Sequence, residues 1–476
     1  MDQVSLLKPY VKFSTRPRSI QALPQLVEKL LKDCLVGVPG VTYVDLPGDM
    51  IQMKVDADED VHEDVLVLLK DISCSEVLET GAPKFLPEPS LLYRACKLIK
   101  SAKFPLIVLG KGAAYSDCPE ILRSFITSHN LAFLPTPMGK GIMCDYSQLN
   151  VSSCRSAALK NADVIILVGA RLNWILHFGE SPRFNEDVKF IQLDLSSEDI
   201  GNNGSLTSYK YGLVGDIGLT IEALDKLLKG YNAPSLPGTL KDIIKSNESK
   251  LAKREEYFST SSLLNYFQVY KILKDIITPI EDDIIYVIEG ANTMDYARQC
   301  FPATMPKQRL DAGTNATMGV GLGYAIAAKI SHPKKLVLAI EGDSAFGFSL
   351  MELETIRRAN LPVLIVVMNN SGIYHGIKPE RYLSNDDNQN LPSTALGYNV
   401  RYDLLAKSFG ITGYYCDTYG NIKQSFTKAV DNYYKKGESS LLNIIIDPAV
   451  DTKLQFGWQS GGTKKKKSTN TSSPKL

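Results

Sequence analysis

The sequence predicts an α/β protein of parallel sheets flanked by helices. Three observations carry that expectation. Short apolar runs recur along the chain and end in glycine, asparagine or an acidic residue. The runs are apolar on both faces rather than at alternate positions, as strands buried on both sides are expected to be. Helix-like stretches separate them, which is the pattern of crossover connections.

Taken in order, the helix-like SIQALPQLVEKLLKDCL precedes a first strand in VTYVDLPGD (41–49). A second group comprises FPLIVLGKG (104–112), DVIILVGAR (163–171) and KFIQLD (189–194). The third comprises DIIYVIEGAN (283–292), KLVLAIEGD (335–343), PVLIVVMNN (362–370) and LLNIIID (441–447). Polar and proline-containing stretches divide the groups: a linker over 53–89, and a second over 230–262 that begins at YNAPSLPGT and continues into a lysine- and glutamate-rich helix-like stretch. Two full α/β domains are expected at 90–229 and 263–450. Residues 1–52 hold one helix and one strand, too few for an independent sheet, and are expected to be the end of a domain that starts upstream. The tail 451–476, ending GGTKKKKSTNTSSPKL, lacks the apolar content for a core and is expected to be disordered.

Composition narrows the function. Fifty-three basic residues balance fifty-two acidic ones over 476 positions, so no nucleic-acid partner is implied by charge. No apolar run approaches eighteen residues, so no membrane span is expected. The eight cysteines and five histidines are scattered without a CxxC pair, which argues against zinc and for a reducing intracellular compartment.

The chemistry is expected at strand ends, because ligands of open parallel sheets bind outside the carboxyl ends of strands. KLVLAI delivers Asp343 and PVLIVVM delivers Asn370. A carboxylate, an amide oxygen and a glycine carbonyl are hard oxygen ligands suited to magnesium, which leaves positions open for phosphate oxygens. Gly342, Ser344 and Ala345, opening the helix-like FSLMELETIRRANL, would present backbone N–H groups to the anion. Alone, GDS is a common strand-to-helix turn with a capping aspartate. Joined to NN beyond one further helix and strand, it resembles the diphosphate motif of thiamine diphosphate enzymes.

The phrases EGANTMD, RLDAGT, TMGVGLGYAIAA, EGDSAFGFS and NNSGIY, together with GKGAAY, LPTPMGKG and GARLNWILHFG, resemble the peroxisomal 2-hydroxyacyl-CoA lyases, with oxalyl-CoA decarboxylases close behind. The resemblance implies the thiamine diphosphate-binding fold with a Rossmann-like central domain. It implies Asp343, Asn370 and the Gly372 carbonyl as magnesium ligands. Gly342, Ser344, Ala345, Ile373 and Tyr374 would line the diphosphate, and Tyr266, Ala291, Asn292 and Thr293 would hold further parts of the cofactor. Thr317 stands beside Met318, which matches the apolar wedge that bends the cofactor; a core methionine on a helix TMGVGLGYAIAA is the alternative. Ala316 matches a residue whose carbonyl accepts from the aminopyrimidine, where the related enzymes carry glycine; the methyl is tolerable unless the position needs positive φ.

In the central domain, Lys111, Arg171, Asp194 and Ile217 match contacts to CoA or ADP, with surface ion pairing as the alternative for the three charged residues. Cys154, Arg155 and Ser156 match a substrate-facing loop, and Arg298 a further substrate contact. The implied reaction is cleavage of a 2-hydroxyacyl-CoA to formyl-CoA and an aldehyde one carbon shorter, as in fatty acid alpha-oxidation. A homo-oligomer, dimer or tetramer, is implied. The family's activating glutamate lies in an Asn-Glu-Gln phrase of a pyrimidine domain, and this sequence contains no such phrase, so a catalytically silent cofactor- or nucleotide-binding subunit is a second expectation. The final Pro-Lys-Leu resembles the peroxisomal Ser-Lys-Leu address, with the cytoplasm as alternative.

Overall fold

The computed structural model describes residues 1–53, 83–202, 207–256, 263–383 and 391–448. Most of the 53–89 linker and the whole of 451–476, with Lys464 to Lys467 and the final tripeptide, lie outside the described residues. Among the described residues three parallel sheets follow one another along the chain.

The first is small. β1 (Phe13–Thr15) pairs in parallel with β2 (Thr42–Val44) across the helix Leu23–Leu35. That helix is shorter than SIQALPQLVEKLLKDCL suggested, because Pro24 lacks an N–H and sits in its first turn, where a helix starts.

The central sheet contains β3 (Pro105–Leu109), β4 (Ala132–Pro135), β5 (Val164–Val168), β6 (Lys189–Asp194) and β7 (Gly212–Val214) in the order β4-β3-β5-β6-β7, all parallel. β3 and β5 are buried at all their positions, which is why their sequences are apolar throughout. One face packs on the helices Pro89–Ser101, Pro119–Ser128 and Ile217–Leu227. Within 230–262, Gly238–Glu255 forms a helix that buries Leu240 against the other face and ties Asn247 Nδ2 to the Ser153 carbonyl at 2.8 Å.

The third sheet contains β8 (Ile284–Glu289), β9 (Arg309–Leu310), β10 (Leu336–Gly342), β11 (Leu364–Asn369), β12 (Thr412–Cys416) and β13 (Ser440–Ile445) in the order β12-β13-β11-β10-β8-β9. Leu336, Leu338 and Ile340 of β10 join one core, and Val337 and Ala339 join the core on the opposite face. This period of two sends Glu341 toward the second core, where the helix Gly321–Ser331 packs.

Two expectations change here. FSLMELETIRRANL is not one uninterrupted helix: Asp343–Ser349 is followed by Glu352–Arg358, with Leu350 and Met351 keeping right-handed dihedrals between them. The helix expected over TMGVGLGYAIAA begins only at Gly321. Gly319, at φ +82°, turns the chain before it, so Met318 precedes the helix and is 42% exposed rather than a core residue.

The two larger domains interlock through polar contacts. Asp145 N–H donates to the Ala303 carbonyl at 3.0 Å, Ala303 N–H returns a bond to Asp145 Oδ2 at 2.8 Å, and buried Arg309 lies 3.3 Å from that carboxylate. Among the described residues no helix is long and apolar enough to cross a membrane.

Candidate active site

The order of the third sheet reverses direction between β8 and β10, so a crevice opens where these two strands end. Gly290 and Gly342 close its floor. A Cβ on Gly290, which has φ +105°, would stand 3.1 Å from the Gly342 nitrogen. This close approach sets the starts of two helices, Ala291–Cys300 and Asp343–Ser349, side by side.

Asp343 is 3% exposed and its carboxylate accepts from Ser344 N–H at 2.8 Å and Gly372 N–H at 3.3 Å. Asn370 Oδ1 accepts from the same Gly372 N–H at 3.1 Å. A shared donor proves that β10 and β11 bring the two side chains together. The Gly372 turn is held by Ser371 at φ +58° and by Asn369, whose Oδ1 accepts from Ser371 N–H at 3.2 Å. Asn369 is thus a brace beneath the loop, fixed in turn by Asn443 at 3.1 Å.

Burial pushes the Asp343 carboxyl up to about 7, against the opposing pull of backbone N–H groups from Ser344, Ser371, Gly372 and Asn370. The donor set of one carboxylate, one amide oxygen and an adjacent glycine carbonyl fits a hard divalent cation with phosphate completing its shell. Among the described residues no cluster of three His, Cys, Asp or Glu offers another metal site.

The neighbouring residues named from sequence converge on the same loop. Asn292 Nδ2 donates to the Tyr374 carbonyl, and Asn370 Nδ2 reaches that carbonyl at 3.2 Å and the Tyr266 hydroxyl at 3.4 Å. Thr293 lies against Gly342, and its carbonyl accepts from the buried Tyr270 hydroxyl at 2.9 Å. Ala291 opens the same helix, while Ala345 is fully buried behind Asp343. Two backbone donors are already engaged: Ser344 N–H by Asp343, and Ile373 N–H by the Thr394 carbonyl at 2.8 Å.

Ala316, Thr317 and Met318 form the exposed crest of the loop between β9 and the helix Gly321–Ser331. Ala316 has φ +51°, so the position does require the left-handed conformation and the alanine methyl is strained there. Sequence reasoning did not foresee how the loop ends. Glu289 and Glu341 are partners across β8 and β10. The Glu289 carboxylate accepts from Gly319 and Gly321 N–H groups, capping the helix start, while burial and the neighbouring Glu289 drive Glu341 well above the ordinary carboxylate range. Gly321 is required against this pair, since a Cβ there would stand 2.1 Å from Glu341 Oε1.

The central sheet has its own switch point, between β3 and β5. Gly110 N–H donates to the Val168 carbonyl and Gly112 N–H to the Gly169 carbonyl, both at 2.9 Å. The interlocked glycines place Lys111 and Arg171 at the same edge, both exposed. Arg171 lies 3.9 Å from Asp199, and half-buried Asp194 ends β6, its acid strength weakened by burial. Ile217 turns its side chain into the core at 2% exposure, so only its backbone at the helix start could meet a ligand. Cys154 is likewise core, with burial raising its thiol, so its side chain does not project from the loop expected to face the substrate. Arg155 donates to the Ile175 carbonyl, Ser156 is exposed, and Arg298 is engaged with Asp295 at 3.1 Å.

Comparison with known proteins agrees with this geometry. The family description "Thiamine pyrophosphate enzyme, central domain" matches residues 92–224, and "Thiamine pyrophosphate enzyme, C-terminal TPP binding domain" matches 289–444. The sheets and the crevice are therefore those of a thiamine pyrophosphate enzyme. The chain is 42% identical over 472 residues to 2-hydroxyacyl-CoA lyase of Saccharomyces cerevisiae, covering 97% of this chain and 79% of that protein. It is 39% identical over 473 residues to 2-hydroxyacyl-CoA lyase 1 of Homo sapiens, covering 96% and 77%. Oxalyl-CoA decarboxylase of Escherichia coli is 38% identical over 455 residues, covering 95% and 76%. The chain belongs to the 2-hydroxyacyl-CoA lyase family.

Proposed function

We propose that the protein cleaves 2-hydroxyacyl-CoA esters to formyl-CoA and an aldehyde shorter by one carbon, using thiamine diphosphate and magnesium. The observation that carries this reading is the convergence of Asp343 and Asn370 on Gly372, in a chain 42% identical to a 2-hydroxyacyl-CoA lyase. Asp343, Asn370 and the Gly372 carbonyl would hold the metal. Thiamine diphosphate, when bound, supplies a nucleophilic carbon and an electron sink for breaking a carbon–carbon bond. Asn292 and Tyr266 fix the loop that faces the diphosphate, and the crest Ala316 to Met318 would meet the thiamine end. Lys111 and Arg171 would receive the phosphates of the CoA moiety, or of ADP.

The test is formyl-CoA release from 2-hydroxyacyl-CoA with both cofactors supplied. Oxalyl-CoA belongs in the same panel, because the 38% identity to oxalyl-CoA decarboxylase favours it as the second reading. Faster turnover of oxalyl-CoA would replace the first reading by the second.

A second copy of the chain is the partner we favour. Phe348 at 68%, Met351 at 64% and Met318 at 42% exposure leave large apolar side chains in water on neighbouring elements beside the cofactor crevice. Sedimentation of Phe348→Glu should show a smaller species than the unsubstituted protein. Peroxisomal placement rests on the Pro-Lys-Leu tripeptide, and a reporter fused to the last twelve residues tests it.

A further inference from the structure

The loop from Asp311 to Gly321 is exposed in the middle and buried at both ends. Its far end is capped by Glu289 from β8. Its near end is held by the other domain. Lys140, from the loop after β4, is 8% exposed and places Nζ 2.8 Å from Asp311 Oδ2, whose side chain is 1% exposed. At this separation the two buried groups form an ion pair between the domains. The other oxygen, Asp311 Oδ1, accepts from Gly313 N–H at 3.1 Å and shapes the turn itself.

The fit around the pair is close. A Cβ on Gly313, which has φ +63°, would meet Met138 Sδ at 2.8 Å, and a Cβ on Gly141 would meet the Met305 carbonyl oxygen at 2.0 Å. The carrier of Lys140 is fixed as well: Thr136 N–H donates to the Leu109 carbonyl at 2.8 Å, Gly139 N–H returns to Thr136 at 2.9 Å, and Lys140 Nζ donates to the Pro137 carbonyl. Arg298 adds a weaker cation 3.8 Å from Asp311.

We infer that Lys140 of the central domain is a positioning residue for the thiamine site of the third domain: by neutralising buried Asp311 it fixes the loop that carries Ala316, Thr317 and Met318. Without Lys140, Asp311 would keep a buried charge faced by Arg298 at 3.8 Å and by neighbouring Arg309 alone, and the Gly313 turn would be drawn open toward water. The consequence is selective. The loop serves the thiamine end of the cofactor, whereas Asp343, Asn370 and Gly372 serve the diphosphate end, so removing Lys140 should disturb one end and spare the other. The inference rests on the cofactor reading given above.

The experiment compares two probes on the full chain by calorimetry, thiamine diphosphate and inorganic pyrophosphate, each with magnesium. Lys140→Met and Asp311→Asn should each weaken thiamine diphosphate at least tenfold and change pyrophosphate less than twofold. Asp311→Asn keeps an acceptor for Gly313 N–H, so a loss in that variant would report the pairing rather than the turn. The double variant K140M/D311N should lose no more than the worse single variant, because the two side chains act as one unit. Equal weakening of both probes, or no weakening of either, overturns the inference. Hydrogen exchange supplies a second readout: in Lys140→Met the amides of 313–321 should lose protection while those of β10 and β11 keep it. If the unsubstituted protein binds neither probe, the cofactor reading fails, and uniform exchange across loop and strands would then overturn the positioning role separately.

Discussion

The two large sheets open their crevices at the same topological place, between β3 and β5 in one and between β8 and β10 in the other, yet they finish it differently. In both, a pair of glycines lets the strand ends touch: Gly110 with Gly169, and Gly290 with Gly342. Beyond the glycines the central sheet carries exposed Lys111 and Arg171, and the third sheet carries buried Asp343 and Asn370. Exposed cations suit a long, hydrated nucleotide that must arrive and leave. A buried carboxylate ringed by N–H groups suits a cation held in fixed geometry beside reacting bonds. Burial, more than topology, separates a place that receives a ligand from one that sets up chemistry.

Removing the buried side should therefore have the largest effect. Asp343→Ala takes away the one carboxylate of the set and leaves Gly372 N–H without that acceptor. Magnesium-dependent binding of thiamine diphosphate should fall more than about 100-fold, beyond the roughly 10–100-fold typical of outer-shell losses at metal sites. Calorimetry with CoA should show unchanged affinity in the same variant. A loss of both ligands would mean that the two crevices are not independent.

The same carboxyl gives the comparison a pH signature. Burial raises its folded value to about 7 from an ordinary 3.8. The folded, metal-free protein thus holds a proton between these limits that the unfolded chain releases, so its stability falls as pH rises from about 4 to 7 and levels above. Magnesium must displace that proton below pH 7. Its affinity, corrected for protonation of the cofactor, should be about tenfold weaker at pH 6 than at pH 8. CoA affinity, which the proposed function assigns to exposed cations, should not follow that curve.

How much of this was legible in the sequence follows from the same contrast. Asp343 and Asn370 were readable because strands buried on both faces are apolar throughout, so the first polar residues, Glu341 and Asn369, mark the carboxyl ends and the GDS and NN phrases lie there. Lys140 and Asp311 were not assigned, although LPTPMGKG and RLDAGT are distinctive, because pairing between loops of different domains leaves no periodic trace. Glu289 and Glu341 stand in the phrases EGANTMD and EGDSAFGFS, but their cross-strand pairing needed the register. The inward turn of the Cys154 and Ile217 side chains was not legible, because a motif match says which residue is near a ligand, not which way its side chain turns.

Lys111→Ala probes the exposed side. Losing one cation in water should weaken CoA esters only roughly three- to tenfold, since exposed ion pairs contribute little and salt screens them. Thiamine diphosphate affinity should be unchanged. A salt titration sharpens the test: the difference between Lys111→Ala and the unsubstituted protein should shrink as ionic strength rises, whereas the loss in Asp343→Ala should persist.

The smallest expected effect is a gain. Ala316 sits at φ +51° on the crest of the thiamine loop, where an L-residue other than glycine pays about 1–2 kcal/mol for the left-handed conformation. Ala316→Gly removes that strain but gives the unfolded chain about 0.4–1 kcal/mol of added freedom. The strain term is the larger, so the net stabilisation should be about 0.5–1 kcal/mol, seen as a melting temperature raised by about 1–3 °C. Because the contact expected of this residue uses its backbone carbonyl, thiamine diphosphate affinity should stay within about twofold. A lower melting temperature would show that the methyl makes a contact worth more than the strain it imposes. A large loss of affinity at unchanged melting temperature would show instead that the loop needs the stiffness of alanine to hold Met318 against the cofactor, and that the exposed crest of this crevice is as preorganised as its buried floor.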